Sequence, residues 1–331
     1  MESEGNGGTV VIDAHLHIFP SLTGFPHNRG ISSLPYGRCL VGGKMIQAVP
    51  PSWDPNTSPP EFVLDGGMIL QILPPSFADT SSPPEMALRY MDMYGVDKAV
   101  LAQAPGYGLH DEYVARAVTQ WPDRFIGITM YNPLLGSRVV EAIERWLNVP
   151  GMVGVKLEVP GTRGVCPDFH LLGDNEMMAW ETLSNLCGLL MIHLDPGAGQ
   201  CDDLLRLVET FPGLRVCILH LGQPPFDGWR DQVRLARHER IYVDTSALPW
   251  VYRGREEYPY PAAQQDLQWA VGEVGAHKIM WGSDYPSMLV DCTYGQLKNM
   301  IRLHSGFLTP DERALILGGT AARLLAQLRR S

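Results

Sequence analysis

Of the many side chains in this 331-residue sequence with the types needed to hold a divalent ion, five stand out by position: His15, His17, His193, His220 and Asp284. Only Leu16 separates His15 from His17. On an extended strand such a pair shares one face, ~6.6 Å apart along the chain, so both imidazoles can turn towards one ion. Neutral imidazole nitrogens combined with a carboxylate oxygen suit Zn²⁺, and they also accept Mn²⁺ or Fe²⁺. Lys156 and Glu158 form a second pair at the same spacing and read as a lysine–glutamate pair lining a pocket. A single buried histidine is more often a hydrogen-bonded core residue than a ligand. What argues against that bland reading here is the set of elements that carries all five.

Those elements alternate. Short apolar runs at 9–17, 98–103, 125–131, 154–159, 189–194, 215–221, 241–246 and 278–284 read as strands. Between and after them, 84–94, 111–121, 138–147, 175–187, 201–210, 229–237, 261–274, 294–303 and 310–328 read as helices. Strict alternation implies parallel strands joined by right-handed crossovers, and eight units close into an α/β fold of the (β/α)8 TIM barrel type. The chain, 1–331, reads as one such domain. Strand one ends in His15-Leu16-His17, strand five in His193, strand six in His220 and strand eight in Asp284. The carboxyl ends of barrel strands ring one mouth, so four separate strands deliver the five residues to one place. Neither nucleotide cradle, G-x-G-x-x-G or G-x-x-x-x-G-K-[ST], is present.

Residues 18–83 interrupt the alternation, with the pairs Pro50-Pro51, Pro59-Pro60 and Pro74-Pro75. Proline removes backbone donors and fixes φ, which disfavours long helices and central strands. The segment reads as an ordered insertion over the active-site mouth, because it leaves the chain directly after the His15/His17 pair; a surface excursion is the alternative. With 26 Lys+Arg against 36 Asp+Glu, the net charge is −10. That balance argues against a nucleic-acid partner and gives no reason to expect adhesion to an anionic membrane. No apolar run is long enough to span a bilayer, and residues 1–8 do not read as a secretory signal. Six cysteines without CxxC spacing read as reduced thiols, Cys187 and Cys217 as small core residues. The expectation is a cytoplasmic protein acting on a small-molecule substrate, with a homo-oligomer left open.

Five segments carry a family likeness. VIDAHLH at 11–17, MIH at 191–193, ILHLG at 218–222, IMWGSDYP at 279–286 and ILGGTAARLL at 316–325 resemble the amidohydrolase superfamily. They look most like its amidohydrolase-related branch, which includes aminocarboxymuconate-semialdehyde decarboxylase, aromatic-acid decarboxylases and several lactonases. The likeness covers 10–328 apart from the insertion. It implies one metal ion, Zn²⁺ or Mn²⁺, held by His15, His17, His193 and Asp284, with His220 beside it as a catalytic residue. Asp284 would both ligate and accept the proton of the attacking water. Asp13 would orient its neighbours or cap a strand end.

Binuclear members carry a carboxylated lysine at the place of Lys156; the branch resembled here is largely mononuclear, so an unmodified pair with Glu158 is expected. HLGQPP at 220–225, followed by Trp229-Arg230, looks more like the lactonases, although Gln223 departs from both subgroups. The leading expectation is therefore hydrolysis of a lactone or amide of a small organic acid by metal-activated water. Non-oxidative decarboxylation of an aromatic or muconate-like acid is the alternative. A non-catalytic binding barrel is the third, opposed by the retention of all five site residues.

Overall fold

The structure, a computed structural model, describes residues 10–21, 39–41, 44–46, 61–63, 69–71, 73–77 and 81–328. Eight strands form one sheet of parallel neighbours: β1 (Ile12–Leu16), β2 (Lys98–Leu101), β3 (Phe125–Met130), β4 (Met152–Glu158), β5 (Leu189–His193), β6 (Arg215–Ile218), β7 (Ile241–Asp244) and β8 (Ile279–Met280). They follow one another around the sheet in chain order. Three backbone hydrogen bonds join the two ends: Ala14 N–H to Trp281 O (2.9 Å), Asp284 N–H to His15 O (2.8 Å) and His17 N–H to Tyr285 O (2.8 Å). The result is a nearly closed (β/α)8 barrel. The helices at Pro84–Tyr94, Cys201–Thr210 and Pro261–Val274 fall where the apolar periodicity places them.

Side-chain alternation explains the two cores. Ile12 and Ala14, Val100, Ile126 and Ile128, Leu189 and Met191, Cys217 and Met280 face inward, where Leu324, Leu325 and Leu328 of the last helix plug the barrel. The opposite faces, including Leu101, Phe125, Val155, Leu157, Ile192, Val216, Ile218 and Val243, pack against the surrounding helices. On β1 the pattern flips. The register with β2 shifts between Asp13 and Leu16. Ile12 and Ala14 belong to the inner core, whereas Leu16 joins the outer one. A bulge of this kind re-aims side chains, and it turns His15 and His17 into the mouth.

Two strands end earlier than the sequence suggests. β6 stops at Ile218, and His220 and Leu221 follow with φ of 59° and 53°. β8 stops at Met280, and Asp284 stands beyond it at φ 54°. The His220 N–H is taken by the Asp244 carboxylate instead of a neighbouring strand, whereas the Asp284 N–H bonds the His15 carbonyl in the isolated bridge that closes the barrel beyond the regular part of β8. Residues 159–165 and 248–251 form short helices, directly after β4 and β7, that the sequence pattern did not reveal.

Much of the insertion lies outside the described residues. At its root, Phe19 and Ser82 exchange backbone hydrogen bonds of 3.0 and 2.9 Å. Cys39–Val41 pairs with Lys44–Ile46 and lies against the short helix Leu248–Val251 that follows β7. Glu61–Val63 pairs with Ile69–Gln71. Leu73 and Phe77 are buried. No described helix is long and apolar enough to cross a membrane. Cys166, Cys187, Cys201, Cys217 and Cys292 are free thiols.

Candidate metal centre

The bulge on β1 and the turn after β8 bring three donor atoms together. Asp284 Oδ1 lies 2.8 Å from His17 Nε2 and 3.7 Å from His15 Nε2. All three residues are buried, and their donor atoms lie within 4.8 Å of one another. His17 Nδ1 is 2.8 Å from the Ala102 carbonyl. A carbonyl only accepts, so Nδ1 carries the hydrogen and Nε2 presents its lone pair to Asp284. Burial works to raise the Asp284 carboxyl, and holding it below the usual carboxylate range takes positive charge on its His17 and His15 side, which two neutral imidazoles do not supply. Two lone-pair groups thus face each other at hydrogen-bond distance. A cation between them removes the repulsion, so this donor set fits a divalent ion.

Asp244, at the end of β7, orients two further imidazoles, those of His15 and His220. Its Oδ2 accepts from His15 Nδ1 at 2.9 Å, which leaves the His15 Nε2 lone pair facing the site. Its Oδ1 accepts from the His220 N–H at 2.8 Å and from the Ser246 hydroxyl at 2.6 Å. Because that hydroxyl donates to Asp244, it accepts from His220 Nδ1, 2.9 Å away. The Ser246 carbonyl, 3.3 Å from the same nitrogen, also only accepts. His220 therefore carries its hydrogen on Nδ1 and a lone pair on Nε2. Burial, reinforced by His193, pushes this imidazole down to about 3, and burial also lowers His17 and His193. Neutral imidazole is the form that ligates metal and accepts protons.

His193 stands further round the mouth. It is opposite Glu158 in the β4–β5 register, and its ring centroid is 4.8 Å from that of His220. Lys156 Nζ is buried between two partners, 3.0 Å from Glu158 Oε1 and 3.2 Å from His15 Nε2. Lys156 opposes the burial penalty on Glu158 and holds that carboxyl below its ordinary value. The structure thus places the expected lysine–glutamate pair inside the centre. Asp13 lies on the other side of the bulge and faces outward. It accepts from His15 N, Ser283 N and the Tyr294 hydroxyl at 3.1, 2.8 and 2.8 Å, tying β1 to the residues after β8. Burial raises its carboxyl to about 6.

Sequence reasoning missed Asp244 and Ser246, although the strand-end argument applied to the seventh strand would have found both. It also missed Tyr107, a buried phenol 5.4 Å from the His17 ring and stacked at 4.1 Å on Phe19. Burial, with Asp284 nearby, pushes this phenol up. Arg163 pairs with Asp195 between the segments after β4 and β5. Arg230 lies over the Trp229 and Trp269 rings.

A (β/α)8 barrel with a His, His, Asp donor set at its mouth defines a class of metal-site barrels. The amidohydrolase family model matches residues 12–327, and the chain belongs to that family. A 124-residue stretch is 31% identical to the L-fucono-1,5-lactonase of Burkholderia multivorans, covering 32% of this chain and 41% of that protein. A solved amidohydrolase from B. multivorans with bound zinc superposes with a TM-score of 0.65 at 16% identity, covering 96% of this chain and 99% of that one. A dihydroxybenzoic acid decarboxylase from Polaromonas, solved with manganese and the inhibitor 2-nitroresorcinol, gives 0.60 at 15% identity over 98% of both chains.

Proposed function

We propose that this amidohydrolase is a metal-dependent hydrolase of a lactone or amide of a small organic acid. The observation that carries the reading is the placing of two proton-handling groups around His15: the Asp284 carboxyl, 3.7 Å from His15 Nε2, and the His220 imidazole, whose ring lies 5.3 Å from that of His15 and whose Nδ1 is held by Ser246. A carboxylate and an imidazole side by side are the residue types that move protons to and from water, and a bound divalent ion, by acidifying that water, lets weak bases accept its proton. In this reading His15, His17, His193 and Asp284 hold the ion. When bound, the ion supplies Lewis-acid activation at neutral pH, as Zn²⁺ or Mn²⁺ both do. Asp284 takes a proton from the attacking water. His220 has no hydrogen of its own on Nε2, so in this scheme it first accepts the water-derived proton from Asp284 and then passes it to the leaving oxygen, rather than donating to the carbonyl. The partial likeness to a lactonase supports a lactone as the first substrate class to test.

A second reading, non-oxidative decarboxylation, is favoured by one feature: the Lys156 ammonium, a proton-bearing cation suited to a carboxylate, reaches the centre beside His15. The test is to incubate purified protein, with measured Zn²⁺ and Mn²⁺ content, with sugar lactones, amides and aromatic acids. Acid release from a lactone or amide supports hydrolysis; carbon dioxide release without it supports the second reading. A His15→Ala, His17→Ala double variant is expected to lose its ion, and full occupancy in it would refute the ligand assignment.

A further inference from the structure

Lys156 is a fully buried cation with a place in the donor set but no part in the hydrolytic scheme. Its neighbours define what it does. His15 Nδ1 is committed to Asp244, so the His15 Nε2 lone pair has two claimants: a metal ion, and the Lys156 ammonium 3.2 Å away. A lone pair that accepts a hydrogen bond from nitrogen is not available to a metal. The ammonium has an alternative partner already in contact, because Glu158 Oε1 lies 3.0 Å away. Glu158 is itself buried, and its partnership with Lys156 is what compensates that burial.

We infer that Lys156 is a built-in cation competing with the metal for His15. With no ion bound, it neutralises the cluster of His15, His17 and Asp284 lone pairs and keeps the centre assembled. When an ion arrives, the ammonium releases His15 and stays on Glu158, so it sets how tightly the site holds metal. The inference rests on the proposed metal site, and it assigns Lys156 a role as an unmodified amine. It is a positioning role: Lys156 acts on the ligand His15, not on the substrate.

The test measures metal affinity and metal-free stability, independently of turnover. Zn²⁺ and Mn²⁺ dissociation constants are obtained by chelator competition for the full-length wild type, Lys156→Met and Glu158→Gln. Lys156→Met, which keeps the aliphatic stem and removes the charge, is expected to bind about 10–100-fold more tightly, the range typical for groups that tune a ligand. Its metal-free form is expected to melt below the metal-free wild type, with a larger gain on adding Zn²⁺. Glu158→Gln, which keeps an acceptor oxygen but removes the countercharge that draws the ammonium away from His15, is expected to bind more weakly than wild type. This variant keeps the test open should Lys156→Met fail to fold.

Equal affinities in the wild type and the folded variants would overturn the inference while leaving the metal site standing. Absence of binding by wild type and Lys156→Met alike would overturn the metal-site reading, and the inference with it. A carbamate carbonyl resonance on Lys156 after exposure to ¹³C-bicarbonate would also overturn it, by showing that the amine is not the resident group.

Discussion

At the scale of single residues, the centre is organised by hydrogen-bond direction more than by proximity. Asp244 accepts on both oxygens, and through them it determines which nitrogen of His15 and of His220 carries hydrogen. Asp244→Asn keeps the shape but offers an amide N–H where one oxygen was. Its carbonyl oxygen satisfies the donors now on Oδ1, so the amide turns towards His15 Nδ1 and forces the hydrogen to Nε2. The His15 lone pair then leaves the site. Metal affinity is expected to fall about 10–100-fold, as for other partners that orient a ligand. Chelator competition reads this directly, and an unchanged affinity would show that the tautomer of His15 is not set by Asp244. His220→Asn makes the contrasting case. His220 is expected to act on protons rather than to retain the ion, so the variant keeps its metal and its melting temperature. It loses about 10²–10⁴ in kcat, the usual worth of general acid–base help. Metal loss in this variant would make His220 a ligand instead.

At the scale of elements, the strands position the chemistry through close backbone contacts. Gly154 opens the inward face of β4 two residues before Lys156, and a Cβ there would come within 2.2 Å of the Leu189 carbonyl oxygen on β5. Backbone cannot yield as a flexible side chain can. Gly154→Ala is therefore expected to cost ~1–3 kcal/mol in overpacking and to separate Glu158 from its register partner His193. A lower melting temperature together with weaker metal binding is the expected outcome; a melting curve identical to wild type would show that the β4–β5 seam gives freely. The strand framework itself was legible in the sequence, because runs such as Leu189–His193 are apolar, short and spaced by helices. The histidines proposed as ligands stood out for the same reason, since each closes such a run. The bulge on β1 was not, because a register shift leaves no mark in hydrophobic periodicity. Nor were the left-handed turns at His220 and Asp284, which depend on side chains supplied by other strands. Asp244 was visible as a strand-end carboxylate, but its role depends on which atoms it meets across the mouth.

At the scale of the whole molecule, the root of the insertion joins the barrel beside the candidate centre. Phe19 and Ser82 are bonded through their backbones, so the long excursion between them begins and ends at adjacent points. Phe19 stacks on Tyr107, whose ring packs against that of His17, and Phe77 packs against Tyr285 at a ring distance of 6.2 Å. The root of the insertion therefore stands beside the metal centre. On that ground we propose that residues 18–83, read from the sequence as lying over the mouth, contribute to substrate contact. Because the cost of closing a loop changes only slowly with its length, a short glycine–serine linker in place of 21–80 should leave the barrel able to fold. The shortened protein loses the buried side chains of Leu73 and Phe77, so its melting temperature is expected to drop. Its donor set lies wholly outside the deleted stretch, so metal content is expected to stay at the wild-type level. KM for a lactone or amide hydrolysed by the wild type is then expected to rise by about ten-fold or more, equivalent to ~1.4 kcal/mol or more of lost contact. Retained metal with an unchanged KM would show that the substrate meets only the barrel, and the insertion would then need another role.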